Sequence, residues 1–366
     1  MPFFHPAGLN IWKSLMSFWY EKHREAGYEE IKTPLMMTRD LWETSGHWAN
    51  YRENMYTTSI DEHDYAIKPM NCPGCMLFFK SGQYSYRRLP LRVAEVGNVH
   101  RHELSGALSG LFRYADIESE IIGILNLSKE IYGAFGLSYA VELSTRPAKS
   151  IGTDAQWEIA TNGLLNALKN NNIEYKLNEG DGAFYGPKID LHIKDAIGRT
   201  WQCGTIQLDM MFPEKFDLTY DDEDGQKKRP VMLHRTILGS IERFLGILIE
   251  HYAGRFPLWI SPRQAAVVSV SDRNSLYAEE IVRELQNAGF KAESDTGADS
   301  MGKKIRNAQT MQYNYMITVG DRECEEKKLA LRTRNGKIVE GLPLTEIISA
   351  LNSEVSSRSD TSAFDK

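Results

Sequence analysis

The sequence has few cysteines and no long apolar stretch. Four cysteines in 366 residues are too few for the disulfide framework of a small secreted protein. No apolar run reaches the roughly 20 residues that a membrane-spanning helix needs. The opening segment, MPFFHPAGLN, has neither the basic start nor the apolar centre of a secretory signal. These absences predict a cytoplasmic protein that does not enter a membrane.

A strong excess of charge of one sign is also missing. The chain has 43 Lys and Arg against 49 Asp and Glu, a formal net charge of -6. This balance argues against a uniformly basic nucleic-acid binder, but it is compatible with local basic patches that contact RNA. The length favours two or three domains, each able to bury its own core.

The pattern of the sequence changes near residue 260. Before it, a helical stretch at residues 9–26 is followed by short strand-like runs, such as residues 91–99 and 189–193, without a repeated strand-then-helix unit. This pattern predicts an antiparallel sheet flanked by helices. After it, strands and helices alternate, which is typical of a small α/β domain with a largely parallel sheet. We predict an α+β domain at residues 1–258, a linker at 259–262, an α/β domain at 263–355 and a disordered tail at 356–366.

Two charged motifs indicate a site for a polyanion. Residues 233–250 have an apolar helical pattern that contains Glu242 and Arg243, and Gly239 allows a close backbone approach at the helix start. The segment VHRHE places Arg101 and Glu103 on one face of a predicted strand. Guanidinium groups match phosphate oxygens, so the two motifs together favour a nucleoside triphosphate as the ligand. Either motif alone is equally compatible with a structural ion pair.

Together these motifs resemble those of class II aminoacyl-tRNA synthetases. Arg101 and Glu103 match the second motif of that family, and Glu242 and Arg243 match the third. AGYEEIKTPLM, which includes Pro34, resembles the first motif, an element of the dimer interface. The threonyl branch of the family is indicated by KPMNCPG, LSTRP, GAFYGPKID, QCGTIQLD and PVMLHR.

The resemblance implies a fold, a reaction and a set of site residues. The fold is the class II antiparallel sheet followed by an anticodon-binding domain. The reaction is the activation of L-threonine with ATP and Mg²⁺ and its transfer to tRNA(Thr) by a homodimer. Implied ATP contacts are Arg101, Glu103, Arg113, Gln202, Thr205 and Arg243. Implied catalytic residues are Arg101, Arg243, Lys188 and His47, the last of them near the terminal ribose of the tRNA. Implied amino-acid contacts are Met70, Cys72, Tyr185, Gln207 and Ser240, and implied anticodon contacts are Glu323 and Arg332.

The family's zinc site is incomplete in this sequence. The resemblance assigns Zn²⁺ ligands to Cys72 and His234, and a third protein ligand belongs to a strand that follows the residue matching Arg113. Here Arg113 is followed directly by Tyr114, so a strand and its turn, roughly ten or more residues, are missing. We expect this loss to remove a metal ligand and substrate contacts, and to leave neighbouring strands without hydrogen-bonding partners.

Three alternatives to an active ligase that lacks the strand remain open. The first is a synthetase-like protein that keeps tRNA binding without aminoacylation. The second is an ordinary ligase whose strand is missing only from the sequence as recorded. The third is an oxidoreductase, since Cys72 and Cys75 form a Cys-x-x-Cys motif, although no βαβ pattern surrounds it. Nothing in the sequence matches the family's editing domain, so we expect no correction of mischarged serine by this polypeptide.

Overall fold

The chain forms two compact units. The computed structural model describes residues 3–100, 108–112 and 116–365, and for residues 108–112 it describes the backbone. Trp19–Ile247 form one unit, here called the larger unit. Met1–Phe18 and Leu248–Lys366 form the other, here called the smaller unit. In the described part of the chain, no helix has the length and apolar character needed to cross a membrane.

The elements up to residue 252 are mostly short strands between longer helices. The helices are α1 (Pro6–Glu25), α2 (Arg39–Thr44), α3 (His47–Asn50), α4 (Cys72–Lys80), α5 (Ile117–Gly133), α6 (Asp154–Asn170), α7 (Met211–Lys215) and α8 (Ile241–Tyr252). The strands are β1 (Glu29–Glu30), β2 (Met36–Thr38), β3 (Thr57–Ile60), β4 (His63–Ile67), β5 (Leu91–Ala94), β6 (Leu108–Phe112), β7 (Tyr139–Ser144), β8 (Lys176–Asn178), β9 (Lys188–Lys194), β10 (Thr200–Asp209), β11 (Tyr220–Asp221), β12 (Lys227–Lys228) and β13 (Val231–Thr236).

The main sheet of the larger unit has eight strands in the order β1-β5-β6-β13-β10-β9-β7-β8. Every pair from β5 to β7 is antiparallel, and only the outer pairs β1/β5 and β7/β8 are parallel. Apolar residues of α5 and α6 recur at helical spacing and are buried, including Ile121, Ile124 and Leu164. The predicted antiparallel sheet with flanking helices is confirmed.

Strand β6 takes the place at which the sequence predicts a gap in the sheet. It pairs with β13 from Val231↔Phe112 to Arg235↔Leu108, and with β5 at Leu91↔Leu111 and Arg92↔Gly110. The expectation that the missing strand leaves β13 without ladder partners is therefore wrong. Backbone N–H and C=O groups in a sheet require partners, and the segment just before Arg113 supplies them here.

The smaller unit has a five-stranded mixed sheet with helices around it. Its strands are β14 (Ala265–Ser269), β15 (Ala292–Asp295), β16 (Tyr315–Val319), β17 (Lys328–Thr333) and β18 (Ile338–Pro343). Its helices are α9 (Ser275–Asn287), α10 (Met301–Thr310), α11 (Asp321–Glu326) and α12 (Leu344–Ser356). The order is β15-β14-β16-β17-β18, with two parallel pairs at β14 and antiparallel pairing of β17 and β18. The prediction of an α/β domain is confirmed. The sheet was predicted to be largely parallel, but only two of its four strand pairs are parallel.

The C-terminal tail differs from the prediction of disorder. The backbone N–H of Ala363 donates to Glu354 Oε2 at 2.8 Å, and the ring of Phe364 packs against Tyr315 with centroids 5.8 Å apart. Asn335 Nδ2 also donates to Asp365 Oδ2 at 2.6 Å. The polar composition of the tail predicted disorder. The bond to the buried Glu354 carboxylate and the packing of one aromatic ring nevertheless fix its position. The proposed boundary at residues 258–263 stays a prediction, since the compact smaller unit begins at Leu248 and also includes Met1–Phe18.

Candidate active site

One face of the main sheet carries a row of polar residues from three strands. Lys188 and Asp190 alternate along β9, so their side chains leave the same face of the sheet. In the antiparallel register Lys188 lies opposite Gln207, and Asp190 lies opposite Thr205. On the other side of β9, Ser144 of β7 lies opposite Lys188. The register therefore brings residues distant in sequence into direct contact.

Asp190 is the centre of this polar row. It is 1% exposed, and its Oδ1 accepts hydrogen bonds from Gln202 Nε2 at 2.5 Å and Thr205 Oγ1 at 2.9 Å. Its Oδ2 accepts from Ser144 Oγ at 3.0 Å and pairs with Lys188 Nζ at 2.9 Å. A buried carboxylate is tolerated only when it is paired and hydrogen-bonded in this way. Asp190 thus sets the positions of three predicted site residues, Lys188, Gln202 and Thr205.

Lys188 stays protonated at this position. Burial alone would lower the pKa of its ammonium group, but the charges of Asp190 and Asp181 outweigh the burial and raise that pKa. Asp181 Oδ2 lies 2.9 Å from Lys188 Nζ, and its side chain is 58% exposed. Lys188 is therefore a fixed cation at the edge of the polar row, of the kind that binds phosphate.

Arg243 reaches the polar row from α8. Its Nη1 donates to the carbonyl of Gln202 at 3.3 Å, and its guanidinium lies 6.0 Å from the ring centre of Trp201. A β-bulge in β10 between Gln202 and Gly204 interrupts the regular pairing at that carbonyl. Arg243 is half-buried while its neighbour Glu242 is exposed. The helix thus presents a cation to the same end of β10 that carries Gln202.

Gly239 allows α8 to begin beside this bulge. Its φ is +65°, in the left-handed region, and a Cβ atom there would lie 3.1 Å from the carbonyl oxygen of Cys203. The predicted close approach of the backbone at Gly239 is confirmed, and the neighbour is the bulged residue. Ser240 Oγ then accepts from the backbone N–H of Arg243 at 3.2 Å, as a helix-capping side chain does.

An aromatic cluster, part of the buried core, adjoins the polar row on β10 and β13. Tyr185 is 3% exposed, and its hydroxyl donates to Gln207 Oε1 at 2.6 Å. Its ring lies 5.3 Å from the imidazole of His234, which is opposite Gln207 in the sheet register. His234 Nε2 is bonded to Asp209 Oδ2 at 2.7 Å, and both side chains are buried. Asp209 therefore fixes the orientation of the His234 ring.

His47 packs against the same aromatic cluster and is fully buried. Ring centroids of Phe184 and Phe212 are 5.8 Å and 5.7 Å from its imidazole, and Phe212 also contacts His234 at 5.8 Å. Its Nδ1 contacts Ser45 Oγ at 2.8 Å, and its Nε2 contacts Met70 Sδ at 3.2 Å. The structure thus brings His47, Met70, Tyr185 and His234 into one apolar cluster, in which the imidazole of His47 is enclosed.

The residues present do not fit the family's zinc site. The bond from His234 Nε2 to Asp209 is compatible with a metal ligand, because a metal-binding histidine commonly bonds a carboxylate through its other ring nitrogen. Over residues 3–100, 108–112 and 116–365, no three or more His, Cys, Asp or Glu side chains are grouped so that they could hold a metal ion. A catalytic zinc site needs three protein ligands around one point.

The Cys-x-x-Cys motif lacks the character of a redox pair. Cys72 and Cys75 both lie in the first turn of α4 and are buried free cysteines. Burial, together with the nearby charge of Glu95, raises the pKa of the Cys75 thiol to about 12. Redox-active cysteines have lowered pKa values and accessible sulfurs, so this geometry argues against the oxidoreductase alternative.

Some predicted residues lie outside the described part of the chain, and some functional residues were missed. Arg101, Glu103 and Arg113 are outside the described residues. Asp190 and Asp209 were not predicted as site residues. Each is the last residue of a motif quoted for the resemblance, GAFYGPKID and QCGTIQLD. A carboxylate between two apolar neighbours in a predicted strand is the signal that could have found them.

The two predicted anticodon contacts have local structural partners. Glu323 Oε2 accepts from the backbone N–H of Gly320 at 2.8 Å and caps α11. Arg332 Nη1 donates to the carbonyl of Gly336 at 3.4 Å. Each residue therefore has a hydrogen-bond partner close to it in the sequence. Contact of Glu323 and Arg332 with RNA stays a prediction.

Comparison with known families matches both parts of the chain. Residues 56–252 match the class II core domain of tRNA synthetases (G, H, P, S and T), and residues 264–354 match the anticodon binding domain family. A curated relative from Protochlamydia amoebophila, threonine–tRNA ligase, is 55% identical over 379 aligned positions, which cover 100% of this chain and 58% of that protein. The chain therefore spans less than three fifths of that relative's length. Because the alignment is longer than the 366 residues, the relative has segments inside the aligned region that this chain lacks.

Solved structures agree with these matches. The RNA binding domain of threonyl-tRNA synthetase from Cryptosporidium parvum superposes with a TM-score of 0.93 at 39% identity, covering 96% of this chain and 92% of that one. A structure described as a threonyl-tRNA synthetase from Aeropyrum pernix gives a TM-score of 0.83 at 28% identity, covering 99% and 90% of the two chains.

Proposed function

Because the chain belongs to the class II aminoacyl-tRNA synthetases, in the threonyl-tRNA synthetase branch, we propose that it acts as a threonine–tRNA ligase. The reaction joins the carboxylate of L-threonine to the α-phosphate of ATP, which enters as its magnesium complex. The threonyl group is then transferred to tRNA(Thr). The polar row around Asp190 carries this proposal.

The polar row suits the phosphates of ATP. Lys188 is a protonated cation that Asp190 holds in place, and Arg243 presents a second cation near Gln202. Fixed cations stabilise the charge that develops when the α-phosphate is attacked, and they need no rearrangement during the step. Arg101, Glu103 and Arg113 would complete the nucleotide contacts, as the resemblance implies.

We propose that the amino acid binds at the adjoining aromatic cluster. Tyr185 and Gln207 form a hydrogen-bonded pair that can face a small polar side chain, and we propose that Met70 and Cys72, which contact each other, also meet the amino acid. Ser240, besides its capping bond, is proposed to face the same cluster. His47 would move a proton in the transfer step once the cluster opens, because its imidazole is enclosed in this state.

The partners are proposed from the resemblance and from the match of the smaller unit. We infer that residues 264–354 bind the anticodon, with Glu323 and Arg332 among the contacts. A homodimer is proposed because the segment around Pro34 resembles an interface motif, and Leu35 and Met36 are exposed there. A sedimentation mass equal to one chain at micromolar concentration would contradict the dimer. A cytoplasmic location is proposed as for translation enzymes.

The rival proposal is a synthetase-like protein that binds tRNA without charging it. It is supported by the missing third zinc ligand, since the described residues contain no group of three His, Cys, Asp or Glu side chains that could hold a metal ion. The two proposals differ in threonine-dependent ATP–pyrophosphate exchange, which only an active ligase performs.

The deciding experiment compares this exchange in the parent chain, Arg243→Ala and Arg243→Lys. Arg243→Ala removes the guanidinium that would bind two phosphate oxygens, and we expect the exchange rate to fall roughly 100-fold or more. Arg243→Lys keeps the charge but loses the paired N–H groups of the guanidinium, so we expect its exchange rate to lie between those of the parent and Arg243→Ala. If the parent performs no exchange but still retains tRNA in a filter-binding assay, the rival is correct. Equal exchange in the parent and the alanine variant would contradict the role given to Arg243.

A further inference from the structure

The LSTRP motif supplies none of the implied site residues, yet its arginine makes several contacts. Arg146 lies just after β7. Its Nε donates to Ser150 Oγ at 2.8 Å, its Nη1 to Asp154 Oδ1 at 2.6 Å and its Nη2 to the carbonyl of Gly152 at 3.2 Å. The guanidinium also lies 5.4 Å from the ring centre of Trp157. One side chain therefore joins the end of β7 to four points around the start of α6.

These bonds of Arg146 close a loop between β7 and α6. The loop, residues 145–153, is here called the Arg146 loop. It begins directly after Ser144, which belongs to the polar row. Near its end, the carbonyl of Ile151 accepts a 2.7 Å hydrogen bond from Nε1 of Trp157, which is 3% exposed. The Arg146 loop is therefore held at both ends and across its middle.

The Arg146 loop is bonded to the backbone of the loop that precedes β9. The N–H of Gly182 donates to the carbonyl of Thr145 at 2.6 Å, and the N–H of Gly180 donates to Thr145 Oγ1 at 3.2 Å. In the other direction, the N–H of Ile151 donates to the carbonyl of Phe184 at 2.8 Å. A Cβ atom on Gly182 would lie 2.5 Å from the Thr145 carbonyl oxygen, so the two backbones are in direct contact.

The second loop carries Tyr185. It comprises residues 179–187 between β8 and β9 and is here called the Tyr185 loop. Tyr185 packs against the rings of Phe184 and Phe212, with centroids 4.9 and 4.8 Å away, and its hydroxyl bonds Gln207. Because Tyr185 lies outside the strands of the main sheet, its backbone position depends on loop contacts rather than on a strand ladder. The Arg146 loop provides three of these contacts.

We propose that Arg146 is a positioning residue for amino-acid recognition. It holds the Arg146 loop in shape, and that loop holds the backbone beside Tyr185, so Arg146 acts without touching the substrate. The guanidinium suits this task because its planar fork reaches several acceptors at once, whereas the ammonium of lysine is a single point. The effect on recognition rests on the proposed function, since it needs Tyr185 to face threonine. The bonding between the two loops does not.

The same geometry separates the amino-acid side of the site from the ATP side. Lys188 pairs with Asp190 inside the sheet, and its other partner, Asp181 of the Tyr185 loop, is mostly exposed. An exposed ion pair contributes little to holding a side chain in place. Loss of the Arg146 side chain should therefore weaken the binding of threonine and leave the binding of ATP nearly unchanged.

The first measurement follows amide hydrogen exchange by mass spectrometry in the parent chain, Arg146→Ala and Arg146→Lys. In Arg146→Ala, peptides of the Tyr185 loop should exchange roughly tenfold faster or more, because the loop bonded to them loses the side chain that fixes it. Peptides of β13, in the centre of the sheet, should exchange as in the parent. Arg146→Lys keeps the charge but reaches fewer acceptors, so its exchange should lie between the two.

The second measurement is a calorimetric titration with two ligands, ATP and the sulfamoyl analogue of threonyl-adenylate, which binds without being turned over. Arg146→Ala should bind the analogue roughly tenfold more weakly, because a displaced contact group no longer meets the ligand in the right geometry. Its affinity for ATP should stay within about threefold of the parent value. In ATP–pyrophosphate exchange, the KM for threonine should rise by a similar factor while the KM for ATP does not.

Arg39→Ala is the matched control. Arg39 likewise combines side-chain bonds with a ring contact, since it bonds Glu43 and Asp64 and lies 4.9 Å from the ring centre of Trp48. Its side chain is 45% exposed, against 35% for Arg146. The variant should change neither the hydrogen exchange of the Tyr185 loop nor the affinity for the analogue. Circular dichroism checks that each variant is folded.

Unchanged hydrogen exchange of the Tyr185 loop in a folded Arg146→Ala variant would overturn the proposal. Equal losses of affinity for ATP and for the analogue would also overturn it, because they would indicate a general loss of stability. So would a loss of tRNA retention with both measurements unchanged, which would assign Arg146 to RNA. A parent chain that binds no analogue refutes the proposed function instead, and hydrogen exchange alone then decides whether Arg146 holds the Tyr185 loop.

Discussion

Asp190 and Thr205 face each other on neighbouring antiparallel strands, and Thr205 Oγ1 donates a 2.9 Å hydrogen bond to Asp190 Oδ1. The same carboxylate holds Gln202, Ser144 and Lys188. A single buried anion therefore sets the geometry of the residues proposed to meet ATP.

Replacing Asp190 should disturb nucleotide binding more than any other single change in the polar row. In Asp190→Asn, Lys188 loses its buried counter-charge, so we expect ATP affinity measured by calorimetry to fall about 10- to 100-fold. The pKa of Lys188 should also fall, which would move the alkaline limit of ATP binding to lower pH. Asp181→Asn is the matched control, because Asp181 contacts the same ammonium but is mostly exposed. An equal effect of the two variants would show that Asp190 has no special positioning role.

His23 should make the stability of the larger unit sensitive to acid. Burial and the neighbouring Arg235 lower the pKa of His23 to about 3. Its Nδ1 donates to the Trp19 carbonyl at 2.7 Å and its Nε2 accepts from Arg235 Nη1 at 3.0 Å, which is the neutral form. Because the folded pKa is lowered, the contribution of His23 is complete above the unfolded pKa, near 6.5, and declines as the pH falls towards 3.

The variant His23→Gln isolates this contribution. The difference in unfolding free energy between parent and variant should shrink as the pH falls below 6.5, by at most about 1.4 kcal/mol per pH unit. Urea denaturation at several pH values measures it, and His63→Gln, at an exposed position, is the control. A parent–variant difference that stays constant with pH would contradict the prediction.

The buried pair of Lys68 and Glu95 should be costly to break. Lys68 Nζ lies 2.7 Å from Glu95 Oε1, and both side chains are at most 5% exposed. Lys68→Met leaves the carboxylate buried without its cation, so we expect the unfolding free energy to fall by about 3–5 kcal/mol. Adding Glu95→Gln should recover part of the loss. Arg39→Met, which breaks an exposed pair with Glu43, should change stability much less, and equal losses in urea denaturation would refute the argument.

Zinc content tests the consequence of the missing strand. Cys72 and His234 supply only two of the three protein ligands, so we expect little zinc to remain after dialysis and threonine activation to be slow or absent. Inserting a strand of the family type between Arg113 and Tyr114 should restore zinc and activity together. Metal analysis with about one tightly held zinc per parent chain would contradict this expectation. Zinc restored without activity would locate the defect elsewhere.

The sequence alone determined the family, the change of pattern near residue 260 and most helices and strands of the smaller unit. In the smaller unit the apolar run at residues 315–319 predicts a strand, which β16 matches, and the pattern at 344–355 predicts a helix one residue shorter than α12. Such elements are predictable because hydrophobic periodicity is a local property of the chain. In the smaller unit the sequence pattern did not predict α11 and β18. Both elements are short and mostly exposed, so they show little hydrophobic periodicity.

Only the tertiary structure decided which residues meet. The strand register placed Asp190 opposite Thr205, Asp209 fixed the ring of His234, and residues 108–112 entered the sheet beside β13. These contacts join segments far apart in the sequence, and a shift of one residue in register would turn every side chain to the other face. Burying a carboxylate costs free energy, which hydrogen-bond donors from distant segments of the chain must offset. The sequence around the carboxylate does not show these donors, so its place in the site is recognised only in the folded structure.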